Sequence, residues 1–131
     1  LVERLRARLG EEAVHGLCLV PEHRPEAAWE KGDILLFQSS GKGECPLFPS
    51  PRPVWLLAEP QPLAGDEQPR YEGLLEIEEG PERIESGWWD GGDVRRDYFV
   101  AASPTGELAW IYRDHRYGVD DGEWFLHGVF A

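Results

Sequence analysis

Ser103, Asp114, His115 and His127 supply the residue types of a hydrolytic nucleophile, its base and an orienting acid. No nucleophile elbow surrounds Ser103, however, and Ser103-Pro104-Thr105-Gly106 sets Ser, Pro and Gly at the first, second and fourth places they favour in a type I turn. His15, Cys18 and His23 offer zinc-binding atoms, but their spacing matches no paired zinc-ligand pattern, and Cys and His are ordinary core residues. Gly41-Lys42-Gly43 lacks the rest of a phosphate loop and reads as a surface loop. Asp90, Asp93 and Asp97 could hold a hard cation, yet the EF-hand order and its closing Glu are missing, so a solvated turn is expected. The sequence therefore predicts no catalytic residue, no metal ligand and no cofactor.

A different chemistry is carried by Trp88-Trp89 beside Arg95, Arg96 and Tyr98, with Trp124 and Phe130 as additions. Aromatic rings and guanidinium planes anchor protein interfaces and also stack on single-stranded bases. Charge decides between the two: 25 acids against 13 bases give −12, which repels a phosphate backbone. Protein contact is the expectation, and a single-stranded nucleic-acid module using the same aromatics is the alternative. Glu44 to Phe48 (ECPLF) ends in the Leu-Phe pair of bacterial sliding-clamp peptides, without their leading Gln and with Pro46 intruding; it also reads as an anchored loop.

The elements that must position these residues are mainly strands. Leu1, Leu5 and Leu9 recur at helical spacing with Arg4, Arg6 and Arg8 on other faces, predicting a short amphipathic helix capped by Gly10 in a left-handed conformation. Glu11 to Val14 adds a turn, and His15 to Val20 reads as a strand ending near Pro21 and Pro25. Asp33 to Phe37 is a short apolar run; residues 38–53 are Ser-, Gly- and Pro-rich loop. Val54 to Leu57 is a strand, Pro60 to Pro69 a loop, and Tyr71 to Glu79 a half-exposed strand in which Leu75 and Ile77 alternate with Glu76 and Glu78.

From Arg95 onward, DYFVAA, ELAWIYRD and EWFLHGVF predict a three-stranded antiparallel meander, its last connection ending at Asp121-Gly122, a pair that tolerates positive φ. Strict alternation sets Tyr98 and Val100 against Phe99 and Ala101, Trp110 and Tyr112 against Ile111, and Trp124 and Leu126 against Phe125 and Val129. Both faces are apolar, so both need cover. The predicted class is α+β, mainly β: a short N-terminal helix plus antiparallel strands ending in the meander, forming a small sandwich or partial barrel. Residues 1–69 and 70–131 are expected to form one compact domain.

At 131 residues the chain can bury a core without disulfides. The absence of Met predicts a start codon elsewhere and a longer parent. No apolar run spans a membrane and no leader is visible, and Cys18 and Cys45 without a C-x-x-C pattern suit a reducing compartment, so a cytoplasmic location is expected.

Gly80 to Phe99 (GPERIESGWWDGGDVRRDYF), followed by WIYRD at Trp110 to Asp114 and WFLHGVF at Trp124 to Phe130, resembles the C-terminal end of ImuB proteins. RPVWLLAEPQPL at Arg52 to Leu63 and LVERLRARLGEEAVHGL at the start also resemble that family. The resemblance implies a relative of Y-family DNA polymerases that lacks their catalytic carboxylates. Such a protein acts in the bacterial mutasome, in SOS-linked translesion synthesis, with an ImuA-like RecA-related protein, an error-prone C-family DNA polymerase and the sliding clamp. The C-terminal region is the implied docking surface for the ImuA-like and polymerase partners; clamp contact would come through the parent protein, and direct nucleic-acid or membrane binding is not implied.

Overall fold

The computed structural model describes residues 1–32, 51–89, 91–115 and 122–130. The chain divides into two compact units, Leu1–Pro46 and Leu47–Ala131.

In the first unit, helix α1 (Val2–Leu9) is followed by a short 3-10 turn (Glu11–Ala13) and strand β1 (Gly16–Leu19), which pairs antiparallel with β2 (Trp29–Gly32). The helix and β1 match the leucine spacing and the apolar HGLCLV run. Gly10 has φ +94 but ψ 153, so it closes the helix in a positive-φ conformation open to glycine that is not the left-handed helical one; its N–H donates to the Arg6 carbonyl over 2.8 Å. Strand β2 was not legible, because WEKG has no apolar alternation; partner geometry makes it a strand. Gly32 faces Cys18 closely, and a Cβ there would stand 2.3 Å from Cys18 Sγ, so the thiol would have to rotate away. No residue of α1 is buried, and Leu17, Leu19 and Trp29 are also exposed.

The second unit is an open antiparallel sheet in the order β3-β7-β6-β5-β4, comprising β3 (Trp55–Pro62), β4 (Glu76–Ser86), β5 (Val94–Ala102), β6 (Leu108–Asp114) and β7 (Trp124–Val129). The predicted meander is β5-β6-β7, and the mainly β, α+β class holds. The turn from β5 to β6 forms as expected: the Gly106 N–H donates to the Ser103 carbonyl over 2.9 Å, and Gly106 takes φ +88.

Three expectations change. Strand β3 runs through Pro60 and Pro62, which the sequence assigned to a loop; as an edge strand whose register shifts between Leu56 and Gln61, it can lack proline N–H groups without breaking the sheet. Strand β4 starts only at Glu76: Leu75 is buried just before it, while Ile77 is exposed, so the Leu75/Ile77 face is not formed. Gly122 has no positive φ; it is required because a Cβ would meet the Asp114 carbonyl at 2.1 Å. Residues 33–50 and 116–121, which include the DILLF run, the Gly41-Lys42-Gly43 loop, ECPLF and Cys45, lie outside the described residues.

Apolar side chains pack on both sheet faces. One cluster joins Leu75, Ala101, Ala109, Ile111, Trp124 and Leu126, with Leu63 and Tyr71 from the β3–β4 connection packed against it. The other joins Ile84, Val94, Tyr98, Val100, Trp110 and Tyr112, with Leu56, Phe125 and Phe130 against it. Val129 packs with Trp124 and Leu126 rather than opposite them. The reason is a bulge: Trp110 pairs with Gly128 and Ile111 with Leu126, leaving His127 over and shifting the alternation by one residue.

Candidate protein-interaction surface

The seven aromatic and arginine residues singled out from the sequence separate by burial. Trp88 and Trp89 sit in the turn between β4 and β5, 80% and 58% exposed, with their rings edge to face at 5.6 Å. Gly87 and Gly91 flank the pair with φ of +85 and +77, a conformation that L side chains rarely adopt. Arg95 lies beside the turn, exposed, directly opposite Glu85 and paired with it at 3.3 Å. These three residues are reachable by a partner.

Arg96 and Tyr98 point the other way, because they alternate with Arg95 on β5. Both are buried, and the Arg96 guanidinium donates to the Tyr98 hydroxyl over 3.1 Å while lying 4.8 Å from the centre of the Tyr112 ring. Tyr98 stacks on Trp110 at 4.1 Å, and its hydroxyl lies 2.8 Å from His127 Nδ1. A hydroxyl that accepts from Arg96 is placed to donate to that nitrogen. Arg52, three residues before the start of β3, lies over Trp110 at 5.3 Å and forms an ion pair with Glu82 of β4. Polar groups and aromatic rings thus pack against one another at the sheet's second cluster.

Trp124 is also buried, with its indole N–H donating to the Asp66 carbonyl over 3.0 Å and Arg113 over its ring at 5.5 Å. Phe130 is half-buried against the second cluster. Trp124, Tyr98 and Arg96 therefore hold the fold, and the Trp88-Trp89 turn with Arg95 remains as the exposed part of the patch.

The groups weighed for catalysis are not gathered. The Ser103 Oγ accepts from the Glu107 N–H over 3.1 Å within its turn, whereas His127 is held by Tyr98 inside the sheet. Among the described residues, one cleft of about 280 Å³ is lined by Tyr71, Ser103, Glu107 and Phe130 among others, and another of about the same volume by Leu63, Asp66 and Trp124 among others. No group of three or more His, Cys, Asp or Glu residues among the described residues is arranged to hold a metal ion. Asp97 is instead clamped by Arg83 through two bonds of 2.7 and 2.8 Å and faces His115 at 3.2 Å. The Arg83 hydrogen bonds hold its carboxyl below the usual carboxylate range, with His115 adding to the effect against the cost of burial.

Sequence reasoning missed two features of this unit. Val54 and Trp55, read only as strand, are 94% and 68% exposed at the outer edge. Glu76, Glu78 and Glu79 form an exposed acidic run on the opposite edge. Edge position, which depends on strand order, was the missing information. No helix among the described residues is long and apolar enough to cross a membrane.

Over its whole length, in an alignment of 152 positions, the chain is 30% identical to Protein ImuB of Caulobacter vibrioides strain NA1000 / CB15N. The same identity and coverage hold for Protein ImuB of strain ATCC 19089 / CIP 103742 / CB 15 of that species. The chain spans 32% of the length of these curated relatives. No family model matches the chain, and no solved structure matches it.

Proposed function

From the premise that this chain is homologous throughout to about a third of ImuB, we propose that it is the C-terminal, non-catalytic docking module of an ImuB-type protein in translesion DNA synthesis. The supporting observation is the Trp88-Trp89 pair, which leaves two large aromatic rings in water beside a core that buries Tyr98, Trp110, Tyr112 and Trp124. Exposed tryptophans of this kind are the side chains that most often dominate protein interfaces. The partners are those of the mutasome, an ImuA-like RecA-related protein and an error-prone C-family DNA polymerase. Clamp contact comes through the parent, and the site is cytoplasmic. Net charge of −12 speaks against a role in gripping DNA directly.

The test is parallel binding of the chain to purified ImuA-like protein, C-family polymerase, sliding clamp and single-stranded DNA at two salt concentrations. Saturable binding to the first or second, lost in Trp88→Ala with Trp89→Ala, is the expected result. Salt-sensitive binding to DNA alone would replace docking by single-strand recognition.

A further inference from the structure

The edge strand β4 carries Glu76, Glu78 and Glu79, all exposed and without an ion-pair partner among the described residues. The neighbouring cations are already engaged, Arg83 with Asp97 and Arg95 with Glu85. The same strand leads at its other end into the exposed Trp88-Trp89 pair. Charge and aromatic surface therefore lie along one hairpin edge, and an 11-residue strand at about 3.3 Å per residue makes that edge roughly 35 Å long.

Backbone pairing is not what this edge offers. Register shifts between Ile77 and Glu79 and between Glu79 and Glu82 interrupt the strand, and Pro81 lacks an N–H, devices that block the addition of a continuous new strand. Recognition must run through side chains. Carboxylates at one end attract Lys or Arg; indole faces at the other accept a guanidinium or ammonium and its aliphatic stem.

Resting on the docking reading above, we propose that the outer edge and tip of the β4–β5 hairpin bind a Lys/Arg-rich extended segment of a protein partner. The glutamates supply the counter-charge and the tryptophans the contact area.

Fluorescence anisotropy of the chain with two labelled decapeptides, one with alternating Arg and Lys and one with Gln at those positions, tests this directly. The basic peptide is expected to bind at least about tenfold more tightly than its Gln counterpart, with affinity falling as salt rises. Glu76→Gln with Glu78→Gln and Glu79→Gln should cost about tenfold, roughly a factor of two for each exposed pair. Equal binding of the two peptides, or basic-peptide binding unchanged in the triple variant, overturns the proposal. The mutasome partners separate it from the docking reading: binding that is lost in the tryptophan variant yet unchanged in the triple glutamine variant leaves docking standing and removes the basic segment. Tighter binding of an oligothymidylate than of the basic peptide removes both.

Discussion

Tyr98 on β5 and His127 on β7 meet over the intervening strand β6, with the tyrosine hydroxyl 2.8 Å from His127 Nδ1 although the residues are 29 positions apart. His127 follows Phe125 by strand alternation onto the same face as Tyr98, Trp110 and Tyr112, where its ring lies 5.8 Å from those of Tyr98 and Trp110.

Tyr98→Phe keeps the ring stacking and deletes the hydroxyl that joins Arg96 to His127. Loss of these buried bonds is expected to cost about 1–3 kcal/mol. Urea unfolding of the 131-residue chain reads it as a lower midpoint at unchanged slope. A midpoint equal to that of the parent would show that the hydroxyl contributes nothing to stability.

Trp88→Ala with Trp89→Ala should behave oppositely, because both rings are exposed and pack mainly on each other. Stability is expected to stay within about 0.5 kcal/mol while affinity for the partner falls roughly thirtyfold or more. A cooperative melt at the parent temperature, measured beside the binding curve, separates the two effects. Unfolding of the double variant would place the pair in the fold instead of the interface.

Acid should weaken the β4–β5 pairing through Asp97. Its carboxyl pKa is lowered in the folded chain by Arg83 and His115, so its stabilising contribution is present above the unfolded carboxylate pKa of about 4 and is lost as pH falls through the folded value. Asp97→Asn is expected to lower stability at neutral pH and to flatten the decline as pH falls below about 4. Parallel acid dependence in parent and variant would assign that decline to other carboxylates.

Gly128→Ala adds a Cβ that would stand 2.6 Å from Pro53 Cγ and 2.8 Å from the Trp55 carbonyl. Backbone on one side and a rigid proline ring on the other leave little room to yield, so β3 must shift from β7, at about 1–3 kcal/mol. Faster amide hydrogen exchange in β3 and β7 than in β5 is the expected signature, and unchanged exchange in those two strands would refute it.

Much of the fold was legible because its signals are local. Leu1, Leu5 and Leu9 mark the helix; DYFVAA and ELAWIYRD alternate with period two; Ser103-Pro104-Thr105-Gly106 makes the turn that its residue types favour. Strand β2 was hidden because WEKG has no such period, and the length of β3 because Pro60 and Pro62 argue against a strand wherever edge position is unknown.

The candidate site was legible as composition and not as arrangement. The sequence gathered Trp88, Trp89, Arg95, Arg96, Tyr98, Trp124 and Phe130 by type, and by itself determined the residues, the acidity and the strand periods of the meander. Only the tertiary structure decided that Arg96, Tyr98 and Trp124 are interior, that Val129 joins the face of Trp124, and that Glu76, Glu78 and Glu79 lie on the last strand of the sheet among the described residues. Periodicity is a property of neighbours along the chain, whereas burial, bulge position and edge status are set by which strands pair, and pairing joins residues far apart in sequence.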